Sequence, residues 1–320
     1  MKTGNDTLRI EGSPSTDRLD RYLVERMPEI SRSTFQRLIG DHHLLVNGLP
    51  TKPNHRPRAG DAITIHWPAP ESSEVLPEEM PLEILFEDED LLVINKPADL
   101  VVHPSAGHKT GTIVNAVLHH CRGQLSGIGG VIRPGIVHRL DLGTSGCLAV
   151  AKNDSAHLQL SEHFAERRVE KIYQTVLCGN LTPPAGDIRA AIARHPTRRQ
   201  QMAVVPASKG RSARTTYRLL ERLEGAAFVE AVLHTGRTHQ IRVHFQHLGY
   251  PVLGDDTYGQ RQTKRLQELT GYRAPRQLLH ARSLAFPHPR TRQRMEFNAP
   301  LPEDFRAGVA ALRMSSNPTR

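Results

Sequence analysis

The chain has 320 residues, enough for one large domain or two smaller ones around a substantial core. Its formal net charge of +9 combines −9 within residues 71–90 with +18 over the other 300, which favours a polyanionic partner over a generally solvated basic surface. No apolar run approaches the roughly 20 residues that span a bilayer, and the N-terminus does not resemble a signal peptide, so we expect no membrane contact.

The cysteines and histidines do not form the motifs of a disulfide framework or a zinc site. Cys121, Cys147 and Cys178 lie far apart without a Cys-x-x-Cys pair, which indicates a reducing, cytoplasmic environment. The histidines of residues 239–247 have neither His-Glu-x-x-His spacing nor a nearby thiol, and the stretch at residues 127–130 lacks the Gly-Lys-Ser/Thr ending of a phosphate loop. We therefore expect no metal and no cofactor.

Composition divides the chain into five segments. The polar ends, residues 1–15 and 307–320, are predicted to be flexible tails, and residues 68–81, with four prolines and four glutamates, a linker. Between them lie a small domain, residues 16–67, and a large one, residues 82–306. Strands and helices mix in the large domain without strict alternation, which predicts an α+β fold with a mixed, largely antiparallel sheet.

The small domain combines two short helices with a few strands. Leu19, Leu23 and Met27 recur at helical spacing, Ser31 or Ser33 can cap a second helix, and Asn47-Gly48 signals a hairpin. A unit of about 50 residues with these elements is a small α/β module. Its arginines alone do not distinguish an RNA-binding surface from a solvated helical face.

Polar turn residues follow an apolar run at Ile136-Val137 in the large domain. They read His-Arg-Leu-Asp-Leu-Gly-Thr-Ser-Gly over residues 138–146, and an apolar strand follows at Leu148. Asp141 is thus predicted to lie in a loop held by two strands. A turn with a surface ion pair is the plainer explanation of this pattern from the residues alone.

Two further segments carry polar residues beside regular structure. A helix over 153–167 is followed by a strand over 169–176, in which Tyr173 points to the face opposite Ile172; a tyrosine there is more often a packing residue. A strand over 228–233 leads through a turn into a helix that starts at Thr238, and Arg237 lies near that start, where backbone N–H groups attract phosphate. Arg242 is predicted on the polar side of this helix.

Together these segments resemble the RluA/RluD-type pseudouridine synthases. The resemblance rests on His-Arg-Leu-Asp with Thr-Ser-Gly, on the Lys-x-Tyr pattern at Tyr173, and on Gly-Arg-Thr-His-Gln-Ile-Arg-x-His over 236–244. It implies that Asp141 is the catalytic nucleophile, that Tyr173 lies against the target uracil, and that Arg242 pairs with Asp141. Arg139, beside the nucleophile, is then expected to assist base extrusion, although a simple phosphate contact also suits it.

The small domain resembles the RNA-binding domain named after ribosomal protein S4. Arg18-Leu19-Asp20, Ser31-Arg32, Val46-Asn47-Gly48 and Gly60-Asp61 carry this resemblance. It implies that Arg32 and Arg37 contact RNA, as Arg237 does in the large domain.

The residues directly before His138 read Arg-Pro-Gly-Ile-Val over 133–137. They resemble the branch of this family that modifies uridines of large-subunit (23S) ribosomal RNA. We therefore expect ribosomal RNA, free or within a ribosomal or pre-ribosomal large subunit, as the partner of a monomeric enzyme. A synthase acting on tRNA, and a non-catalytic RNA-binding or ribosome-assembly protein that retains the fold, remain the alternatives. Gly143 departs from the acidic or polar residue of many relatives. None of the three segments that carry the resemblance supplies a second acid near Asp141. Hydrolysis of a glycosidic bond, which normally uses two carboxylates, is therefore disfavoured.

Overall fold

The computed structural model describes residues 4–14, 16, 18–28, 30–67, 75–104, 107–122, 125–127 and 133–313. These residues form two compact units, one within Met1–Ser73 and one within Glu74–Arg320. The first half of the predicted linker, the end of the C-terminal tail and most of the glycine-rich stretch at 127–130 lie outside the described residues. None of the described helices is long and apolar enough to cross a membrane.

The N-terminal unit packs two helices against a four-stranded antiparallel sheet. The elements are β1 (Gly4–Arg9), α1 (Leu19–Arg26), α2 (Arg32–Gly40), β2 (Leu44–Val46), β3 (Leu49–Pro50) and β4 (Ala62–Trp67). The strands follow the order β1-β4-β2-β3. The Ser31 hydroxyl caps the second helix by accepting from the Thr34 N–H at 3.2 Å, and Asn47 and Gly48 turn with positive φ between β2 and β3.

The structure differs from the tail predicted over residues 1–15. Strand β1 pairs with β4 in full register, from Gly4 opposite Trp67 to Arg9 opposite Ala62. Ile10 is buried in the core of this unit and Leu8 packs against it. The alternation of apolar and polar residues in β1 is short, and most residues of the segment are polar. Composition alone therefore does not predict this strand.

The C-terminal unit is built on a nine-stranded sheet. Its strands are β5 (Ile84–Glu87), β6 (Leu91–Lys96), β7 (Ser145–Ala151), β8 (Glu170–Cys178), β9 (Ala185–Arg189), β12 (Arg214–Leu223), β13 (Ala226–Leu233), β14 (Leu279–Pro287) and β15 (Arg294–Asn298). They follow the order β5-β6-β7-β14-β8-β13-β12-β9, and β15 pairs with β14. All neighbouring strands described in this sheet run antiparallel except β7 and β14, which confirms the predicted α+β class with a mixed, largely antiparallel sheet.

Helices and one separate hairpin complete this unit. They are α3 (Ile113–His120), α4 (Asp154–Ala165), α5 (Gln240–His247), α6 (Gln260–Thr270), α7 (Glu303–Ala311) and the hairpin β10 (Ile192–Arg194) with β11 (Met202–Val204). The central strands are buried on both faces: Ile94 and Leu148 join the core on one side, and Val93 and Ala149 pack with α4 on the other. Such two-sided burial explains why β6 and β7 are continuous apolar runs in the sequence.

Two predicted boundaries shift in the structure. The tail predicted from residue 307 begins inside α7, where Val309 and Leu312 are buried because they continue the helical spacing of Phe305. The second half of the predicted linker is anchored beside α3, where the Leu76 carbonyl accepts from Asn115 Nδ2 at 2.8 Å. The Glu78 carboxylate accepts from the Gly111 N–H at 3.0 Å.

Candidate active site

Asp141 lies in the segment His138–Gly146, here called the Asp141 loop, which enters strand β7. Three side chains from distant parts of the chain fix this loop. The buried Lys96 ammonium donates to the carbonyls of Pro97 and Leu100 at 2.6 and 2.7 Å, and reaches the Leu142 carbonyl at 3.4 Å. Arg276 Nη1 donates to the Gly143 carbonyl at 3.0 Å, and Gln277 Nε2 to the Thr144 hydroxyl at 2.9 Å. The three residues directly after Asp141 are therefore each held by a side chain from another part of the chain.

His138, the first residue of the loop, supports the backbone. Its Nε2 accepts from the Ala149 N–H at 2.9 Å, and its ring stacks on Phe164 with 4.6 Å between centroids. Because a backbone N–H can only donate, His138 is neutral with its proton on Nδ1. Burial, followed by the nearby Lys171 charge, lowers the pKa of His138 to about 3, which agrees with this state.

The Arg242 guanidinium connects two carboxylates. Its Nη1 donates to Asp141 Oδ2 at 3.1 Å, while Nε and Nη2 donate to Asp255 Oδ2 and Oδ1 at 2.7 and 2.9 Å. Arg242 and Asp255 are buried, and Asp141 is partly exposed. Burial acts against the charged form of Arg242, but the hydrogen bonds and charges of the two carboxylates outweigh it and raise the pKa of Arg242. Arg242 is thus buried, in contrast to its predicted position on the polar side of the helix.

Asp255 and His239 are site residues that the sequence patterns did not identify. Asp255 Oδ1 also accepts from the Thr257 and Tyr258 N–H groups at 2.9 and 3.1 Å, so that the carboxylate caps the turn after Val252-Leu253-Gly254. A Gly-Asp pair after two buried residues is a signal that could have pointed to Asp255. The Asp141 site therefore does hold a second acid, and both its oxygens are already engaged by one guanidinium and the backbone.

His239 approaches Asp141 from the start of α5. This helix begins at Gln240, two residues later than predicted, because His239 has left-handed φ of 56°. The Tyr258 hydroxyl accepts from the Met202 N–H at 2.7 Å and lies 2.8 Å from His239 Nδ1. When the hydroxyl donates to Nδ1, the ring proton is on Nε2, which lies 3.9 Å from Asp141 Oδ2. Burial lowers the pKa of His239, in keeping with a neutral ring.

Tyr173 and Asp141 line the same cavity, which has a volume of about 530 Å³. Tyr173 lies on β8 opposite Ala281 of β14, and Ile241 and Leu279 supply further apolar surface. Burial and then the Asp141 charge raise the pKa of Tyr173, so its hydroxyl is protonated. The part of the cavity around Tyr173 therefore offers apolar surface, which suits a flat, uncharged ring beside Asp141.

A larger cleft of about 1350 Å³ reaches Asp141 from another side. The exposed Arg139 lines both the cleft and the smaller cavity, as do His239 and Arg242. Asp141 is thus reached through two openings, and Arg139 lies beside both.

The other predicted RNA contacts lie outside the Asp141 loop. Arg237 lines the cavity of Tyr173 and donates through Nε to the Ser212 carbonyl at 3.1 Å. In the N-terminal unit Arg32 is half-exposed and donates to the fully buried Asp20 at 2.9 Å, while Arg37 is exposed on α2. Burial acts to raise the pKa of Asp20, but hydrogen bonds from Arg18, Gln36 and Arg32 lower it overall.

Among the described residues, the one group of acids and histidines with metal-ligand spacing comprises Asp88, Asp90 and His288. His288 Nε2 lies 2.7 Å from Asp88 Oδ2, and the Arg290 guanidinium occupies Asp90 Oδ2 at 2.7 Å. None of the three lines the cavities at Asp141. His288 and Arg290 already contact these carboxylates, so we assign the group to the joint between the β5–β6 and β14–β15 turns.

Two family models match the chain. A model described as RNA pseudouridylate synthase matches residues 90–247, and one described as S4 domain matches residues 17–63. The sequence is 44% identical over 298 residues to an uncharacterised RNA pseudouridine synthase of Bacillus subtilis, which covers 93% of this chain and 95% of that protein.

Other relatives have more specific names. The sequence is 43% identical over 304 residues to a ribosomal large subunit pseudouridine synthase D of Pseudomonas aeruginosa, covering 92% of both chains. It is 41% identical over 301 residues to a protein of the same name from Zymomonas mobilis, covering 93% of this chain and 95% of that one. Among solved structures, human RNA pseudouridylate synthase domain containing 1 superposes with a TM-score of 0.56 at 28% identity, covering 79% of this chain and 100% of the human one.

Proposed function

The chain belongs to the RNA pseudouridylate synthase family, and we propose that it converts specific uridines of large-subunit ribosomal RNA to pseudouridine, with Asp141 as the nucleophile. Family membership makes the protein an RNA-modifying isomerase. The names of the Pseudomonas and Zymomonas relatives support ribosomal RNA over tRNA as the substrate. The contact of Asp141 with Arg242 beside the Tyr173 cavity is the observation that carries the assignment of the nucleophile.

The chemistry requires little beyond one carboxylate. The bond from C1′ to N1 of uracil breaks, the base turns, and C5 bonds to C1′, while C5 loses a hydrogen and N1 gains one. The product has the same atoms as the substrate, so the reaction consumes no co-reactant. Asp141 can serve either by adding covalently or by taking a proton from the ribose. Arg242 supplies a fixed positive charge to the carboxylate in both routes.

The cavity supports roles for two further residues. The uracil ring packs against Tyr173, whose neutral hydroxyl and apolar ring fit an uncharged base. The target leaves its stack at a cost of about a few kcal/mol, and we assign the exposed Arg139, two residues before Asp141, to fill the space that the base vacates.

RNA binding is shared between the two units. The S4 domain presents Arg37 on an exposed helix face, and Arg237 borders the cavity of the large domain. Arg32 orders α2 through Asp20 and contacts RNA with its exposed part. The enzyme acts as a monomer in this proposal, and its substrate is ribosomal RNA in the cytoplasm, free or within the large subunit.

Pseudouridine mapping in the host tests this function. A strain without the protein is complemented with wild type, with Asp141→Asn or with Asp41→Asn, an exposed acid after α2. Ribosomal RNA and tRNA are then mapped with chemistry that labels pseudouridine selectively. We expect at least one large-subunit site to disappear in the deletion strain and to return with wild type and Asp41→Asn but not with Asp141→Asn.

Two outcomes would change the conclusion. Loss of a tRNA site with intact ribosomal RNA identifies a tRNA synthase. An unchanged map in the deletion strain, together with RNA binding by the purified protein, identifies a binding protein that retains the fold. For wild type we expect binding to weaken steeply with added salt, as phosphate contacts require.

A further inference from the structure

The cavity of Asp141 and Tyr173 continues into a wall of four cationic side chains. Arg167 follows α4, Lys171 lies on β8, Arg211 precedes β12 and Arg237 precedes α5. Among the described residues, no carboxylate lies within ion-pair distance of these four, here called the cation cluster. Arg237 donates to a carbonyl, and Lys171 Nζ lies 5.9 Å from the centroid of the Phe164 ring.

The neighbouring arginines have a carboxylate partner. Arg189 and Arg214 both pair with Asp187, at 2.9 and 3.0 Å. This pair of arginines lines an adjoining cavity with Arg167. The cation cluster differs from them because, among the described residues, none of its four members has such a partner.

Lys171 lies in the cluster with little access to the water that would stabilise its charge. It is buried, and burial, followed by the charges of Arg167 and Arg237, lowers the pKa of Lys171 to about 8. A buried cation among other cations destabilises the free protein unless an anion joins it. The position therefore favours an anion that is present only in a complex.

Arg167 is held there against its backbone preference. It follows the C-cap of α4 with φ of 61°, and the Arg168 N–H returns to the His163 carbonyl at 2.9 Å, as in a Schellman turn. Glycine is the usual residue at this left-handed position, because a side chain is strained there. Strain of this kind collects at functional sites. Two members of the cluster thus occupy unfavourable positions that share one wall.

We propose that Arg167, Lys171, Arg211 and Arg237 bind a backbone phosphate of the substrate RNA, within one nucleotide of the uridine whose base enters the Asp141 cavity. This inference rests on the proposed function, because it takes the anion to be part of the RNA that supplies the base. A phosphodiester is an anion that every nucleotide brings, and guanidinium groups bind it in paired hydrogen bonds. Fixing that phosphate aligns the sugar with Asp141 and favours the extruded base over the stacked one.

A scan with uncharged phosphates tests the cluster. The probe is a short stem-loop RNA with the uridine found by mapping, in which one phosphate at a time is replaced by a methylphosphonate. The Kd is measured for wild type and for Lys171→Met. We expect one replacement within a nucleotide of the uridine to weaken wild-type binding about tenfold and to change the Lys171→Met Kd less than twofold. Equal weakening of both proteins at every position overturns the proposal.

The cluster also predicts opposite effects on stability and on binding. Arg167→Gly relieves the backbone strain and is expected to raise Tm by about 2–4 °C, while it removes most of the methylphosphonate effect. The matched control is Arg122→Gly: Arg122 also follows a helix with φ of 51°, but does not line these cavities. It is expected to raise Tm and to leave the methylphosphonate effect intact.

The outcomes separate this proposal from the function on which it rests. A fall in Tm for Arg167→Gly, or loss of the methylphosphonate effect in Arg122→Gly, contradicts the role of Arg167. If the phosphate scan fails while the protein still forms pseudouridine at the mapped uridine, the cluster is refuted and the function stands. If no uridine depends on the protein, the proposed function itself is refuted.

Discussion

Asp255 holds the Arg242 guanidinium through two hydrogen bonds from Nε and Nη2, at 2.7 and 2.9 Å, in the orientation that brings Nη1 to Asp141. The buried acid therefore decides where the positive charge beside the nucleophile is placed.

Asp255→Asn keeps the shape of this side chain but turns one acceptor into a donor that faces the guanidinium. We expect the single-turnover rate of pseudouridine formation to fall about 10–100-fold, because small displacements of a positioning group cost this much, while RNA affinity changes little. The control is Glu221→Gln, which alters the exposed paired contact of Glu221 with Arg313. A normal rate for Asp255→Asn would show that Asp141 does not need an aligned Arg242.

His239 is predicted to act through the proton on Nε2, which Tyr258 places there by donating to Nδ1. Glutamine can present an N–H group near the same position, whereas alanine cannot. We therefore expect His239→Ala to lower kcat about tenfold with little change in KM, and His239→Gln to recover most of the loss. Tyr258→Phe should have an intermediate effect. Equal defects for the alanine and glutamine variants would mean that His239 acts by packing alone.

Lys171 gives the free protein a distinctive pH dependence. Its folded-state pKa of about 8 lies below the ordinary lysine value of about 10.4, so the charged form destabilises the fold below pH 8. Stability should rise with pH from about 8 to 10 in wild type relative to Lys171→Met, measured by urea unfolding. The charged and titratable groups that face Lys171 are Arg167, Arg237, His138 and His234.

RNA affinity should change in the opposite direction. A bound phosphate raises the pKa of Lys171, so binding is strongest below pH 8 and weakens as the pH rises above it. Lys171→Met should show no such loss between pH 8 and 10. A pH profile shared by the two proteins would place the titrating group elsewhere.

Gly146 permits the close approach of β14 to the end of the Asp141 loop. It has φ of +111°, and a β-carbon there would lie 2.2 Å from the Ala281 carbonyl oxygen. Gly146→Ala is expected to lower the free energy of unfolding by about 3 kcal/mol or more, from strain and overlap combined. The comparison is Gly143→Ala, whose β-carbon meets only the flexible Gln277 side chain at 3.0 Å. Urea unfolding of both variants checks the contrast; similar stabilities would contradict it.

The sequence predicted the local structure around the site better than the long-range contacts that hold the site residues in position. The helix after Asn153, the strand of Tyr173 and the loop of Asp141 follow from apolar periodicity and turn residues, which are local signals. The hydrogen bonds between Asp255 and Arg242 do not follow from local signals. They depend on a turn thirteen residues after Arg242 that returns the chain to α5. Predicting Arg242 on a polar face failed for the same reason: a residue that looks solvated by spacing is buried when a distant acid joins it.

Strand order was also beyond reach of sequence patterns. β14 lies between β7 and β8, although about 100 residues separate it from β8 in the chain. Periodicity identifies strands but not their partners, and β1 shows the same limit at the other end of the protein.

The place of β14 sets when this enzyme can first become active during its own synthesis. Until residues near 287 have left the ribosome, β7 and β8 have no common neighbour, and the carboxylate and the tyrosine belong to two unconnected halves of a sheet. Contacts between segments so far apart form slowly. The N-terminal unit differs, because all of its described strands pair within residues 4–67 and are present in the growing chain long before β14.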